Sequence, residues 1–160
     1  MREIPYDREA ALAYADRWAL DRNPAYLDFS NLGGDCTNFI SQCLFAGIGV
    51  MNYTPDTGWY YLNGNRKAPA WTAARYLHKF LLYNQDVGPY AQERGPEEMA
   101  PGDLVQLMNQ SGVFYHSLLI MRIVGDQIYI ATHTLDAYMR PLSSYHYYKA
   151  SFMKVMGGRA

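Results

Sequence analysis

Apolar residues recur along the chain at two different spacings, and the change from one to the other divides it. Between Arg8 and Asp21 they fall at Ala11, Tyr14, Ala15 and Trp18, the spacing of one helix face. Asp7 stands where a cap accepts from first-turn amides, and Asn23-Pro24 stops the pattern. A second stripe, Cys36, Phe39, Ile40, Cys43 and Leu44, ends at Gly47 and Gly49, the usual place for a left-handed terminal residue. A third, Ala73, Tyr76, Leu77, Phe80 and Leu81, predicts a helix over 72–83. After the turn Pro101-Gly102-Asp103 the runs shorten, and 104–108, 117–124 and 127–132 read as strands. Gly125-Asp126 makes the last two a hairpin, and 145–155 reads as a further strand or strand pair. Residues 50–70 have no period, are dense in turn formers and hold Trp59, Tyr60 and Tyr61. They predict an irregular loop of the kind that often serves function. Helices first and strands after is the order of an α+β fold, here one domain over residues 1–160.

The bulk numbers narrow the function. A composition 49% hydrophobic and 18% charged is that of a packed domain rather than a disordered chain. The net charge of -1 gives no electrostatic footprint for nucleic acid and no polybasic membrane patch. No stretch approaches the ~18 consecutive apolar residues of a membrane span. Met1-Arg2-Glu3-Ile4-Pro5-Tyr6 lacks the charged and apolar regions of a signal peptide. That suits a cytoplasmic protein and equally an exported domain already trimmed. Cys36 and Cys43 on one helix are ~10.5 Å apart in rise, beyond the ~7 Å a disulfide spans. They are therefore expected to stay unpaired, with Cys43 a small buried apolar residue.

The chemistry centres on Gly33-Gly34-Asp35-Cys36-Thr37-Asn38. A glycine pair ends a polar loop and a cysteine opens a helix, where backbone N–H groups favour thiolate over thiol. Two histidines flank the predicted hairpin. A turn at Gly125-Asp126 pairs residues whose numbers sum to 251, so His116 opposes Leu135 and His133 is its diagonal neighbour on one face. A slip of one residue sends His133 to the other face. The set reads as Cys36 nucleophile, His116 base and His133 the polar group that orients the imidazole, with Asp136 the second choice for that third role. Cys36, His116 and His133 are also zinc-ligand types, but no C-x-x-C or H-x-x-x-H spacing accompanies them, so no metal is expected. Asp35 and Trp59 are the candidate substrate contacts; Asp35 suits a helix cap as well, and Trp59 suits core packing. His78 and His146 show no partner and read as surface residues.

The run Gly34-Asp35-Cys36-Thr37-Asn38-Phe39-Ile40-Ser41-Gln42 resembles the nucleophile motif of the bacterial putative amidase domain family, which belongs with the papain-like cysteine peptidases and amidases. Tyr6-Asp7-Arg8, Asn23-Pro24-Ala25-Tyr26, Trp71, Pro101-Gly102-Asp103-Leu104, His116-Ser117 and His133-Thr134 with Arg140-Pro141-Leu142 resemble its other segments, so the likeness covers nearly the whole chain. It implies a papain-like α+β fold, with the cysteine helix packed on an antiparallel sheet or half-barrel that carries the histidine. It implies Cys36 as nucleophile, His116 as general base and His133 as the third residue. It implies no cofactor, and hydrolysis of peptide or peptidoglycan-like amides through a thioacyl-enzyme. Acyl transfer would use the same residues, and a non-catalytic binding module would use the same fold.

Overall fold

The computed structural model describes residues 1–160. It is an α+β fold: four helices lie against one seven-stranded antiparallel sheet. The helices are α1 (Arg8–Trp18), α2 (Cys36–Ile48), α3 (Pro69–Thr72) and α4 (Ala74–Tyr83). The sheet is built from β1 (Glu3–Ile4), β4 (Gly88–Arg94), β5 (Leu104–Met108), β6 (Phe114–Val124), β7 (Gln127–Thr132), β8 (Ala137–Pro141) and β9 (Lys149–Arg159). Strands run in the order β1-β9-β5-β6-β7-β8, and β4 also pairs with β9. A separate hairpin, β2 (Tyr61–Asn63) with β3 (Arg66–Lys67), stands in the segment expected to be irregular. No helix is long and apolar enough to cross a membrane.

α1 begins as its sequence requires, with the Asp7 carboxylate accepting from Ala10 N–H at 3.0 Å. It ends earlier than Asp21, at Trp18. The stretch expected as one helix over 72–83 is two, because Ala73 is extended between α3 and α4. β4 and β8 have no counterpart in the pattern reading, and the last strand runs to Arg159 rather than 155.

α2 is the axis of the molecule, and it is buried on nearly every face rather than along one stripe. Its polar residues survive burial because each is matched. Asn38 Oδ1 accepts from the Trp71 indole at 3.0 Å; Ser41 Oγ accepts from the Trp59 indole at 3.0 Å and donates to Trp71 O. Thr37 and Ser117 hydroxyls meet at 2.9 Å, which ties the start of α2 to β6. The main core lies between α2, its neighbouring helices and the sheet; a smaller one, with Val105, Leu107, Leu118 and Ile120, covers the opposite face. Gly49 closes α2 in the left-handed conformation, φ 79°. Both cysteines are buried free thiols.

The Pro101-Gly102-Asp103 turn fastens the amino-terminal segment to the sheet. Asp103 is fully buried, accepts from Ala100 and Val155 N–H, and pairs with Arg8 at 2.9 Å. The Tyr6 hydroxyl donates to Gly102 O at 2.8 Å.

Candidate active site

Gly33 and Gly34 have φ of +98° and +113°, a region closed to residues with a Cβ. This turn delivers Asp35 to the N-cap position and Cys36 to the first residue of α2. The loop after β7 holds the turn in place, with Asp35 N–H donating to Thr134 Oγ1 at 2.6 Å. Thr134 and Leu135 themselves have positive φ. The Cys36 sulfur lies 3.8 Å from the Thr37 hydroxyl, which in turn meets the Ser117 hydroxyl at 2.9 Å. Ser117 directly follows His116, so this contact sets the sulfur beside the histidine's segment of β6.

His116 pairs across the sheet with Leu107, on the face of the smaller core. Its ring lies between those of Tyr115 and Tyr145, at 6.2 and 5.9 Å between centroids. Burial first, and then the positive charge of Arg140, push its pKa down to about 4. Arg140 lies 3.8 Å over the Tyr145 ring. The Tyr145 hydroxyl is buried beside Arg140 without a hydrogen bond of good geometry; burial raises its pKa, the Arg140 guanidinium opposes the shift, and nearby Cys36 adds a smaller push up. The Cys36 thiol is pushed up by burial, with Asp35 adding to the shift, against the lowering effect of Ser117 and Thr37. The helix-start argument for a ready thiolate is thus outweighed by desolvation. At neutral pH the Cys36 thiol and the His116 imidazole are both uncharged, and no hydrogen bond joins them.

His133 is placed differently from the expectation. β6 and β7 pair with sum 251 at Val124↔Gln127 and with sum 250 at Leu119↔Ala131, because a bulge at Met121 shifts the register. In the shifted register His133 lies level with Ser117, facing α2, and His116 faces the other way. The His133 ring stacks on Phe39 at 4.0 Å. Its Nδ1 is 2.5 Å from Asp35 Oδ2, and Nε2 donates to Trp18 O at 2.8 Å. Both nitrogens are therefore engaged, and neither meets His116. Asp136, the other candidate for the third role, is taken by Arg22 at 2.8 Å.

The two candidate substrate contacts lie inside the protein. Asp35 is 1% exposed and accepts from Phe29 N–H at 2.8 Å and Asn38 Nδ2 at 2.9 Å. It occupies the cap position without making the side-chain cap bond. Trp59 is fully buried. His78 is not a free surface residue: it stacks on Phe114, and its Nε2 is 3.1 Å from Ser151 Oγ.

A groove of about 670 Å³ opens onto Cys36. Gly33 and Gly34 form one side; Gly64, Asn65 and Lys67 of the β2–β3 hairpin form another. The aperiodic stretch over 50–70 thus supplies a wall of the cleft, through the hairpin rather than through Trp59. Tyr145 is the neighbour that the sequence did not single out, and Ser117 and Arg140 stood there only as parts of family-like segments, without a role. Tyr145 sits in Ser144-Tyr145-His146-Tyr147-Tyr148, where nothing in spacing separates it from the other tyrosines. No group of three or more His, Cys, Asp or Glu side chains is arranged to hold a metal ion.

Residues 5–156 match the family described as "Putative amidase domain". Over 144 residues the chain is 35% identical to the uncharacterized protein YhbB of Bacillus subtilis (strain 168). That alignment takes in 87% of this chain and 45% of the relative, so the chain spans less than half the relative's length. No solved structure matches the chain.

Proposed function

The chain belongs to the putative amidase domain family, and on that premise we propose that it is a cysteine-dependent amide hydrolase. One observation carries the reading: a thiol at a helix start opens onto a groove, and the Thr37 hydroxyl beside it ties that helix start to Ser117, the residue after a partnerless, neutral histidine. His116 makes no hydrogen bond to the sulfur at rest and faces the other side of β6, so its ring must turn toward Cys36 to take the thiol proton as Sγ attacks the carbonyl carbon. With a raised thiol and a lowered imidazole the ion pair is scarce at rest, so substrate binding and exclusion of water draw the transfer out. The oxyanion meets the Cys36 backbone N–H, one of the first-turn amides that a helix leaves without an intrahelical partner. The C–N bond breaks and the imidazolium protonates the departing amine, leaving a thioacyl-enzyme. Water then attacks, His116 takes its proton, and the acid leaves as the thiol is restored. The cycle closes with water alone.

His133 supports this machinery from behind, through Asp35 and the start of α2. Tyr145, beside the imidazole with its hydroxyl unpaired, is the group we assign to steady His116. The substrates put forward are peptide amides, with bacterial cell-wall peptides the first class to screen. The test is release of new amines from such peptides and from cell-wall digests by wild type and Cys36→Ala, with mass-spectrometric capture of an acyl group on Cys36. Cleavage that survives Cys36→Ala would sink the reading, as would a protein that cuts no amide and forms no adduct.

A further inference from the structure

The groove that ends at Cys36 is electrically one-sided. Lys67 at the end of β3 and Arg75 in the first turn of α4 stand in its wall, and no aspartate or glutamate lines it. In a chain of net charge -1 this is a local excess of positive charge. Neither cation is spent on a carboxylate. Lys67 Nζ donates to Gly64 O at 2.8 Å and lies 4.9 Å over the Phe29 ring. Arg75 donates to the Tyr76 hydroxyl at 3.3 Å and lies 4.8 Å over that ring. An ammonium has three donors and a guanidinium five, so most of their capacity is unused. The contrast is with Arg8, Arg22 and Arg159, each paired with a carboxylate elsewhere in the molecule. Phe29, Leu32 and Val113 give the same groove apolar wall, and its glycines let a chain approach the backbone closely.

We infer that the groove selects an anionic peptide, one with a carboxylate beside the amide presented to Cys36. Catalysis of that amide's cleavage rests on the amidase reading; the charge selection is a property of the groove and is measured without turnover. The first arm compares alkylation of Cys36 by iodoacetate, an anion, with alkylation by iodoacetamide, its neutral counterpart. The ratio of the two rates is expected to exceed that of free cysteine at the same pH by roughly threefold to tenfold, the size of one or two exposed ion pairs. It is expected to return to the free-cysteine value in Lys67→Gln/Arg75→Gln and in 1 M salt, where the screening length shrinks to about 3 Å. A ratio equal to that of free cysteine, unmoved by charge removal or salt, overturns the inference.

The second arm decides where native Cys36 resists alkylation. Calorimetry on Cys36→Ala compares a glutamate-containing peptide amide with its glutamine counterpart. Tighter binding of the glutamate peptide, lost in the double Gln variant, supports the inference. Equal affinity, or binding of neither, overturns it. A protein that shows the charge preference but cuts nothing would break the amidase reading and leave this one standing.

Discussion

His116 and His133 belong to adjacent stretches of one sheet, and their surroundings are opposites. His133 is 1% exposed, with both nitrogens engaged, one face stacked on Phe39 and a carboxylate at 2.5 Å. Arg22 reaches Asp28, Asp35 and Asp136 across that cluster, and only its Nε is left buried without a hydrogen bond. His116 is desolvated as well, yet its ring has no hydrogen-bond partner, a cation rather than an anion acts on it, and the Tyr145 ring beside it carries a buried hydroxyl with no hydrogen bond of good geometry. A satisfied cluster rigidifies a fold. An unsatisfied one costs stability and is kept where a reacting group will complete it. The difference separates a histidine spent on holding the fold from one left open to the proton transfer proposed for it.

Substitutions on the two sides should therefore fail differently. Cys36→Ala is expected to lower amide hydrolysis by about 10³-fold or more while leaving the denaturation midpoint nearly unchanged, since a nucleophile is lost and little packing goes with it. Asp35→Ala is the converse. Removing one partner of a buried ion cluster is expected to cost about 3–5 kcal/mol in urea unfolding. Comparable stability loss in both variants would erase the distinction.

The pH dependence sharpens it. His116 is held neutral in the fold, so its share of stability is complete above its unfolded pKa of 6.5 and is lost as pH falls through about 4. The loss amounts to at most about 3 kcal/mol at about 1.4 kcal/mol per pH unit. The difference between wild type and His116→Gln, followed by urea titration from pH 7 to 3.5, should shrink by that amount. A flat difference would mean that His116 is not desolvated. Cys36, raised in the fold, acts on the alkaline side: its contribution is present below ~8.5 and declines above it. Alkylation of Cys36 should accordingly have its midpoint above that of an ordinary thiol, and a midpoint near 6 would show a preformed thiolate. Tyr145→Phe has the smallest expected effect on stability, a gain of up to about 1 kcal/mol from removing an unpaired buried hydroxyl. Hydrolysis should fall about tenfold through kcat, with the imidazole's NMR titration displaced. A loss of stability with unchanged kcat would make Tyr145 a packing residue.

Much of the scaffold was legible because it follows from local chemistry. Asp7 caps α1, Gly49 ends α2, and 104–108 and 127–132 are the strands their patterns predict. Cys36 at a helix start behind two glycines could be read for the same reason. The register of the histidines could not. Leu118, Leu119, Ile120 and Met121 are all buried, so two-sided burial hides the alternation that would have revealed the bulge. β4 begins with Gly88-Pro89 and ends in charges, and β8 holds Pro141, so both look unlike strands until a partner edge is present. The protonation states were illegible for a related reason. A helix start and a neighbouring carboxylate are visible in sequence, whereas the depth at which the thiol lies is a product of the whole fold.

The position of β9 bears on how the molecule comes to exist in time. It is the last strand in sequence, yet it pairs with β1, β4 and β5. During synthesis the helix bearing Cys36 leaves the ribosome long before this strand, and until it arrives nothing joins β1 and β4 to the β5–β6 pair. Such late, long-range closure is slow and leaves edges open. The nascent chain is thus most exposed to strand-swapping and chaperone capture in the interval before β9 docks, and the thiol acquires its final surroundings only when that interval ends.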